Sequence, residues 1–188
     1  MALTLDAGAS AAPLPSILST LRNSDVRITF FLTGKWTSTY SAEVQSIAAD
    51  GHELANHSWS HPDFTKLSAD EMRSQLERTS RIIAEVSGRP CAPLFRPPYG
   101  ARNKTVLATV AAAGYRSIYW SVDSLDSVRK DITPAQICQR VINRLEPGAI
   151  ILMHVGSQAT AAALPDLIAQ IQANGYRIVT VSELLKYE

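Results

Sequence analysis

His57 and His61 stand four residues apart in the run His-Ser-Trp-Ser-His. On a helical turn that spacing sets both imidazoles on one side, able to grip a single cation. Such a pair in isolation is more often a helix cap and a surface histidine, so its neighbours decide. Asp6 closes the apolar run Ala-Leu-Thr-Leu, and a carboxylate there can take a proton from water. His154 closes Ile-Ile-Leu-Met, and Asp123 is a candidate partner for it. A carboxylate raises an imidazole's proton affinity and readies it as a general acid. Arg96-Pro97-Pro98-Tyr99-Gly100 is a stiff loop, because two prolines fix φ. It suits a guanidinium held against a carboxylate or a backbone N–H aimed at a developing oxyanion. His52 precedes an apolar strand and reads as structural.

These residues need elements to bring them together. Short apolar strands alternate with amphipathic helices along the chain. Strands are expected at residues 2–6, 26–32, 53–56, 94–95, 117–122, 149–153 and 178–181. Helices are expected at 13–21, 42–49, 69–86, 104–112, 134–145 and 162–173, with a last helical turn at 182–185. Ser68 and Glu71 form a capping-box pattern, and Thr133 with Pro134 marks another helix start. Runs such as Ala-Ile-Ile-Leu-Met read as strands buried on both faces. The expected class is therefore α/β: about seven parallel strands with flanking helices in one domain over residues 1–188. An open doubly wound sheet and a closed barrel share this pattern. In either, ligands bind where the strands end, and Asp6, His57, His61, Arg96, Asp123, Asp126 and His154 all fall there.

The bulk numbers exclude some classes. A net charge of +1 provides no field for nucleic acid. No apolar run approaches the ~20 residues of a membrane span, and the N-terminus lacks a signal-peptide pattern. Cys91 and Cys138 fit either buried free thiols or one disulfide, and oligomeric state is not legible.

In this order, the residues resemble the five motifs of the NodB-homology polysaccharide deacetylases, carbohydrate esterase family four, over essentially the whole chain. Thr4 to Gly8 is similar to Thr-Phe-Asp-Asp-Gly, and His57 to His61 matches His-Ser/Thr-x-x-His. Arg96 to Gly100 matches Arg-x-Pro-Tyr, Asp123 to Asp126 matches Asp-x-x-Asp, and Leu152 to His154 matches Leu-x-His. The resemblance implies a distorted (β/α) barrel. It implies a divalent metal on His57 and His61, usually Zn²⁺ with Co²⁺ or similar possible, and Asp6 as general base oriented by Arg96. Tyr99 would donate its backbone N–H to the oxyanion, and His154, tuned by Asp123, would protonate the leaving group. Leu152 would line the acetyl pocket, with Pro97, Pro98 and Trp120 completing its walls. An acetylated carbohydrate substrate and a secreted or cell-envelope location follow from the same resemblance. Two positions depart from the pattern. Ala7 replaces the second Asp, the family's third protein ligand to the metal, and Ser127 replaces a Trp of the acetyl pocket. Two other functions compete: a glycan-binding pseudoenzyme with a weakened metal site, and a metal-independent amide hydrolase acting on cyclic ureides. The intact histidine pair argues against the latter.

Overall fold

The computed structural model describes residues 1–187. Seven strands form one sheet: β1 (Ala2–Ala7), β2 (Thr29–Leu32), β3 (Glu53–Asn56), β4 (Leu94–Phe95), β5 (Arg116–Ser117), β6 (Val122–Asp123) and β7 (Ile150–His154). Their order is β5-β4-β3-β2-β1-β7-β6, and every pairing is parallel. The central strands β1 and β2 are buried throughout, as strands covered on both faces must be. Alternation along them separates two cores. Leu3, Leu5, Phe30 and Leu32 join the helix residues Leu14, Ile17 and Leu21. Ala2, Phe31, Ala55 and Leu94 join Ile118 on the opposite, concave face. Thr4 and Asp6 share the parity of Ala2, so the concave face becomes polar toward the carboxyl end of β1.

Helices α1 (Leu14–Asn23), α2 (Gly34–Thr39), α3 (Ser41–Ala49), α4 (Ala69–Ser87), α5 (Lys104–Ala112), α6 (Pro134–Ile142), α7 (Gln158–Ala173) and α8 (Val181–Leu184) accompany the sheet. The capping boxes expected at Ser68 and found also at Thr133 close the starts of α4 and α6. Helix α7 begins four residues before its apolar stripe suggests, at a Ser157 cap, and runs through Pro165.

Two expected strands differ. The single strand over 117–122 is broken, with β5 at one edge of the sheet and β6 at the other. Residues 118–121 make that passage, so the two edges lie within roughly 18 Å of each other, the reach of an extended chain of this length. The sheet is thus curled into an incomplete, distorted barrel whose edge strands do not pair. Tyr119 and Trp120, apolar and strand-like in sequence, stack on each other in this crossing at 4.0 Å between centroids. Residues 178–180 are not a strand. Val179 N–H donates to the Met1 carbonyl at 3.0 Å, and Val181 already starts α8. The short α2 escapes a periodicity argument because only six residues, Gly-Lys-Trp-Thr-Ser-Thr, form it under a Thr33 cap. Cys91 and Cys138 are both free thiols.

Candidate active site

Parallel pairing carries the strand-end residues to one rim. Asp6 on β1 is in register with His154 on β7, and Asp123 on β6 with Leu152. His57 follows β3 and Arg96 follows β4. A cavity of about 780 Å³ opens here, with Asp6, His57, His61 and His154 at its base. Pro97, Tyr99 and Trp120 form one wall; Asp123, Ser127 and Val128 form another, and Leu152 also lines it. Pro98 is buried beneath the loop.

Arg96 does not line the cavity but lies under it, with 0% exposure. Its Nη1 donates to Asp6 Oδ1 at 2.7 Å and to Thr4 Oγ1 at 2.8 Å. Its guanidinium lies 4.1 Å above the Phe31 ring. Nε and Nη2 find no partner among the described residues. Asp6 Oδ1 is therefore committed to Arg96, while Oδ2 faces His57 Nε2 at 3.4 Å. The Arg96 backbone carbonyl has a second task. It accepts from His57 Nδ1 at 2.8 Å, which leaves the lone pair on Nε2, toward the cavity.

His57 and His61 approach with ring centroids 4.8 Å apart, but not through a helical turn. Residues 57–61 form a loop in which Ser58 and His61 take left-handed φ values of 66° and 60°. The loop is tied at both ends. Asn56 Oδ1 accepts from Ser58 N–H at 2.8 Å, and Ser58 Oγ accepts from His61 N–H at 3.0 Å. Gln75 of α4 accepts from the backbone N–H groups of Trp59 and Ser60 at 2.8 and 3.0 Å. Trp59 lies so close to Gly34 that a Cβ there would sit 2.2 Å from its ring. Gln75 is a supporting residue with no sequence signal, since on a helix it reads as a solvated position. Burial pushes both imidazoles toward their neutral, metal-ligating form, and His61 falls to about 4, burial acting first and His57 second.

The opposite wall corrects the expected partner of His154. Its Nδ1 is 2.7 Å from Asp126 Oδ1, and its backbone N–H donates to Asp126 Oδ2 at 2.8 Å. Asp123 instead accepts from Leu125 N–H at 2.7 Å, closing an Asx-type turn. That turn sets Leu125 at φ 65° and swings Asp126 inward. The sequence offered two carboxylates three residues apart, and only the turn decides which one faces inward. Burial opposes charge on His154, yet the hydrogen bond and charge of Asp126 outweigh it and hold the imidazole's proton affinity above its ordinary value. The Asp126 carboxyl is held below its usual range. Burial works against this, but His154 and the Thr160 hydroxyl prevail.

Among the described residues, four of the five left-handed non-glycine residues, Ser58, His61, Tyr99 and Leu125, sit in these site loops. Each costs on the order of 1 kcal/mol, strain that the surrounding hydrogen bonds must over-determine. Gly100 follows Tyr99 because a Cβ there would lie 2.6 Å from the Tyr119 ring, excluding any side chain.

The donor set for a metal is short. Ala7 is 1% exposed and packed in the main apolar core. Among the described residues no three His, Cys, Asp or Glu side chains converge as ligands. Asn56 turns away, its Nδ2 donating to Leu76 O and Ser80 Oγ. What the site offers is the two imidazoles of His57 and His61 lining the cavity, with the Asp6 carboxylate 3.4 Å from His57 Nε2.

Comparison with known proteins agrees with this arrangement. Residues 1–118 match the family model for polysaccharide deacetylase. An uncharacterised 30.6 kDa protein of Geobacillus stearothermophilus is 35% identical over 97% of this chain and 69% of its own length. Peptidoglycan-N-acetylglucosamine deacetylase PgdA of Listeria monocytogenes is 34% identical over 98% of this chain, which spans 38% of that protein. Among solved structures, BA3943 of Bacillus anthracis, described as a CE4 family pseudoenzyme, superposes with a TM-score of 0.92. It is 34% identical over 98% of this chain and 64% of that one. A BA3943 mutant described as having restored enzymatic activity gives the same TM-score at 35% identity. With motif residues gathered at one rim, the barrel topology and a family match over most of its length, the chain belongs to the polysaccharide deacetylase family.

Proposed function

We propose that the chain is a metal-dependent hydrolase that removes acetyl groups from a carbohydrate polymer or oligomer. Both N-acetyl amides and O-acetyl esters are within its chemistry, in glycans such as chitin-like chains, peptidoglycan or xylan. The observation that carries this reading is the pairing of Asp6 with His154 on adjacent strands, each fixed from behind by a buried partner, Arg96 or Asp126. Adjacent strands lie about 4.8 Å apart, so a base and an acid flank one reacting carbon.

His57 and His61 would hold the divalent ion, and two neutral imidazoles suit Zn²⁺, with Co²⁺ next. When bound, the ion supplies a Lewis acid that makes water acidic near neutral pH. Asp6 accepts the proton of the attacking water at Oδ2, the oxygen Arg96 leaves free. The Tyr99 backbone N–H donates to the oxygen of the tetrahedral intermediate. His154 carries the proton to the leaving amine or alcohol, with Asp126, not Asp123, behind it. Leu152 packs on the acetyl methyl. The relatives named as peptidoglycan deacetylases support a place in the cell envelope or outside the cell.

Acetate release tests this. Zn²⁺-loaded protein is offered acetylated chitooligosaccharides, peptidoglycan and acetylated xylan, before and after chelation. Release from at least one, lost on chelation and restored by Zn²⁺, is expected. Binding to a glycan without release would instead favour a pseudoenzyme, the reading that Ala7 and the likeness to BA3943 support.

A second expected outcome concerns Ala7→Asp. If position 7 is where a third ligand belongs, the variant binds Zn²⁺ about 10–100-fold more tightly by calorimetry. Ala7 is buried, so a carboxylate that does not reach the ion must be stranded in the core. Unchanged affinity with a lowered melting temperature would show that position 7 is a core site and that the ligands are complete without it.

A further inference from the structure

The carboxylate behind His154 has an attachment that the acid–base assignment leaves unused. Thr160, in the first turn of α7, is fully buried. Its hydroxyl donates to Asp126 Oδ2 at 2.5 Å. The turn that places it is fixed by Ser157, whose Oγ accepts from Thr160 N–H at 3.1 Å. Asp126 thus receives three donors: His154 Nδ1–H on Oδ1, and His154 N–H and Thr160 O–H on Oδ2. A valine of the same shape would fill this space equally well, so packing alone does not call for the hydroxyl.

We propose that Thr160 is a positioning residue that locks Asp126 and lowers the proton affinity of the His154–Asp126 pair, setting the pH range in which His154 is protonated. The consequence for turnover rests on the reading of His154 as general acid; the consequence for its titration does not. The sign follows from charge. With His154 protonated the pair is neutral, and the imidazolium itself compensates the carboxylate. With His154 neutral the pair carries one negative charge in a buried place, and the hydroxyl matters more. Thr160 therefore stabilises the deprotonated pair more than the protonated one. Removing it makes the proton harder to lose. Other charges reach His154 from β1 (Asp6), β6 (Asp123) and the loop after β3 (His57 and His61), and none of them bonds Thr160.

Titration of His154 by NMR of its ring nitrogens, assigned with a His154→Gln variant, tests the proposal. In Thr160→Val the pKa of His154 should rise by about half a unit to one unit. Thr160→Ser keeps the hydroxyl and should titrate as the wild type does. Thr160→Ala removes the same hydroxyl and gives the same reading if the valine variant does not fold. The alkaline limb of turnover should move with it, and kcat on an acetamide should fall about 3–10-fold at unchanged KM, since orientation of the acid is partly lost. A folded variant without the hydroxyl, titrating as wild type does, overturns the proposal. A shifted titration in a protein that releases no acetate leaves it standing and removes only the deacetylase reading.

Discussion

Asp6→Asn is expected to lower turnover by about 10²–10⁴-fold, the usual contribution of a general base. The substitution keeps the shape and an acceptor for Arg96 but removes the basic oxygen. It also has a structural cost. Arg96 is wholly buried, and among the described residues Asp6 is its one ionic partner and Nε and Nη2 have no acceptor. Taking the charge from one member of a buried pair leaves the other uncompensated, at a cost approaching ~3 kcal/mol. Asp6→Asn should therefore unfold at lower urea concentration as well as turn over slowly. Rates should be compared on protein shown to be folded at the assay temperature. A folded variant within about threefold of the wild type in kcat/KM would remove Asp6 from the role of base.

His154→Ala gives the second large effect, and it depends on the leaving group. An amine must be protonated to depart, whereas an activated phenol need not be. Loss on an N-acetyl sugar should reach about 10²–10³-fold, with a much smaller loss on 4-nitrophenyl acetate. The pH profile supplies an independent check. The proton affinity of His154 is raised, so its acid form persists above the ordinary imidazole value of 6.5. Activity on the amide is present below that shifted pKa and is lost as pH rises through it. The alkaline limb should lie above 6.5 in the wild type and be absent from the variant. Equal losses on amide and aryl ester would count against a general acid at this position.

Much of this site is legible in the residues themselves. Asp6, His57, Arg96 and His154 are polar groups placed where apolar strand patterns stop, and parallel topology alone brings such positions to one rim. The helix starts at Ser68 and Thr133 are equally readable, because capping is local chemistry. What stays hidden depends on tertiary geometry. The choice between Asp123 and Asp126 is made by a left-handed Leu125, which no residue type announces. The HxxxH spacing suggests a helical turn, yet the pair converges through a strained loop held by Gln75 from another element. Residues 117–122 carry a strand-like pattern throughout, but curling of the sheet puts the two ends on opposite edges and the aromatic pair between them. Thr160 bonds a carboxylate 34 residues away and leaves no trace in spacing.

The most direct test is acetate release from a tetrameric N-acetylglucosamine oligomer by the wild type and by Asp6→Asn. Both are purified identically and loaded with the same amount of Zn²⁺, and the variant serves as the blank. Steady release by the wild type, at least about 100-fold above the variant, is the predicted result. Release no greater than the variant's, from wild-type protein with zinc bound and peptidoglycan and acetylated xylan tried in turn, would contradict the claim that this cavity hydrolyses acetyl groups.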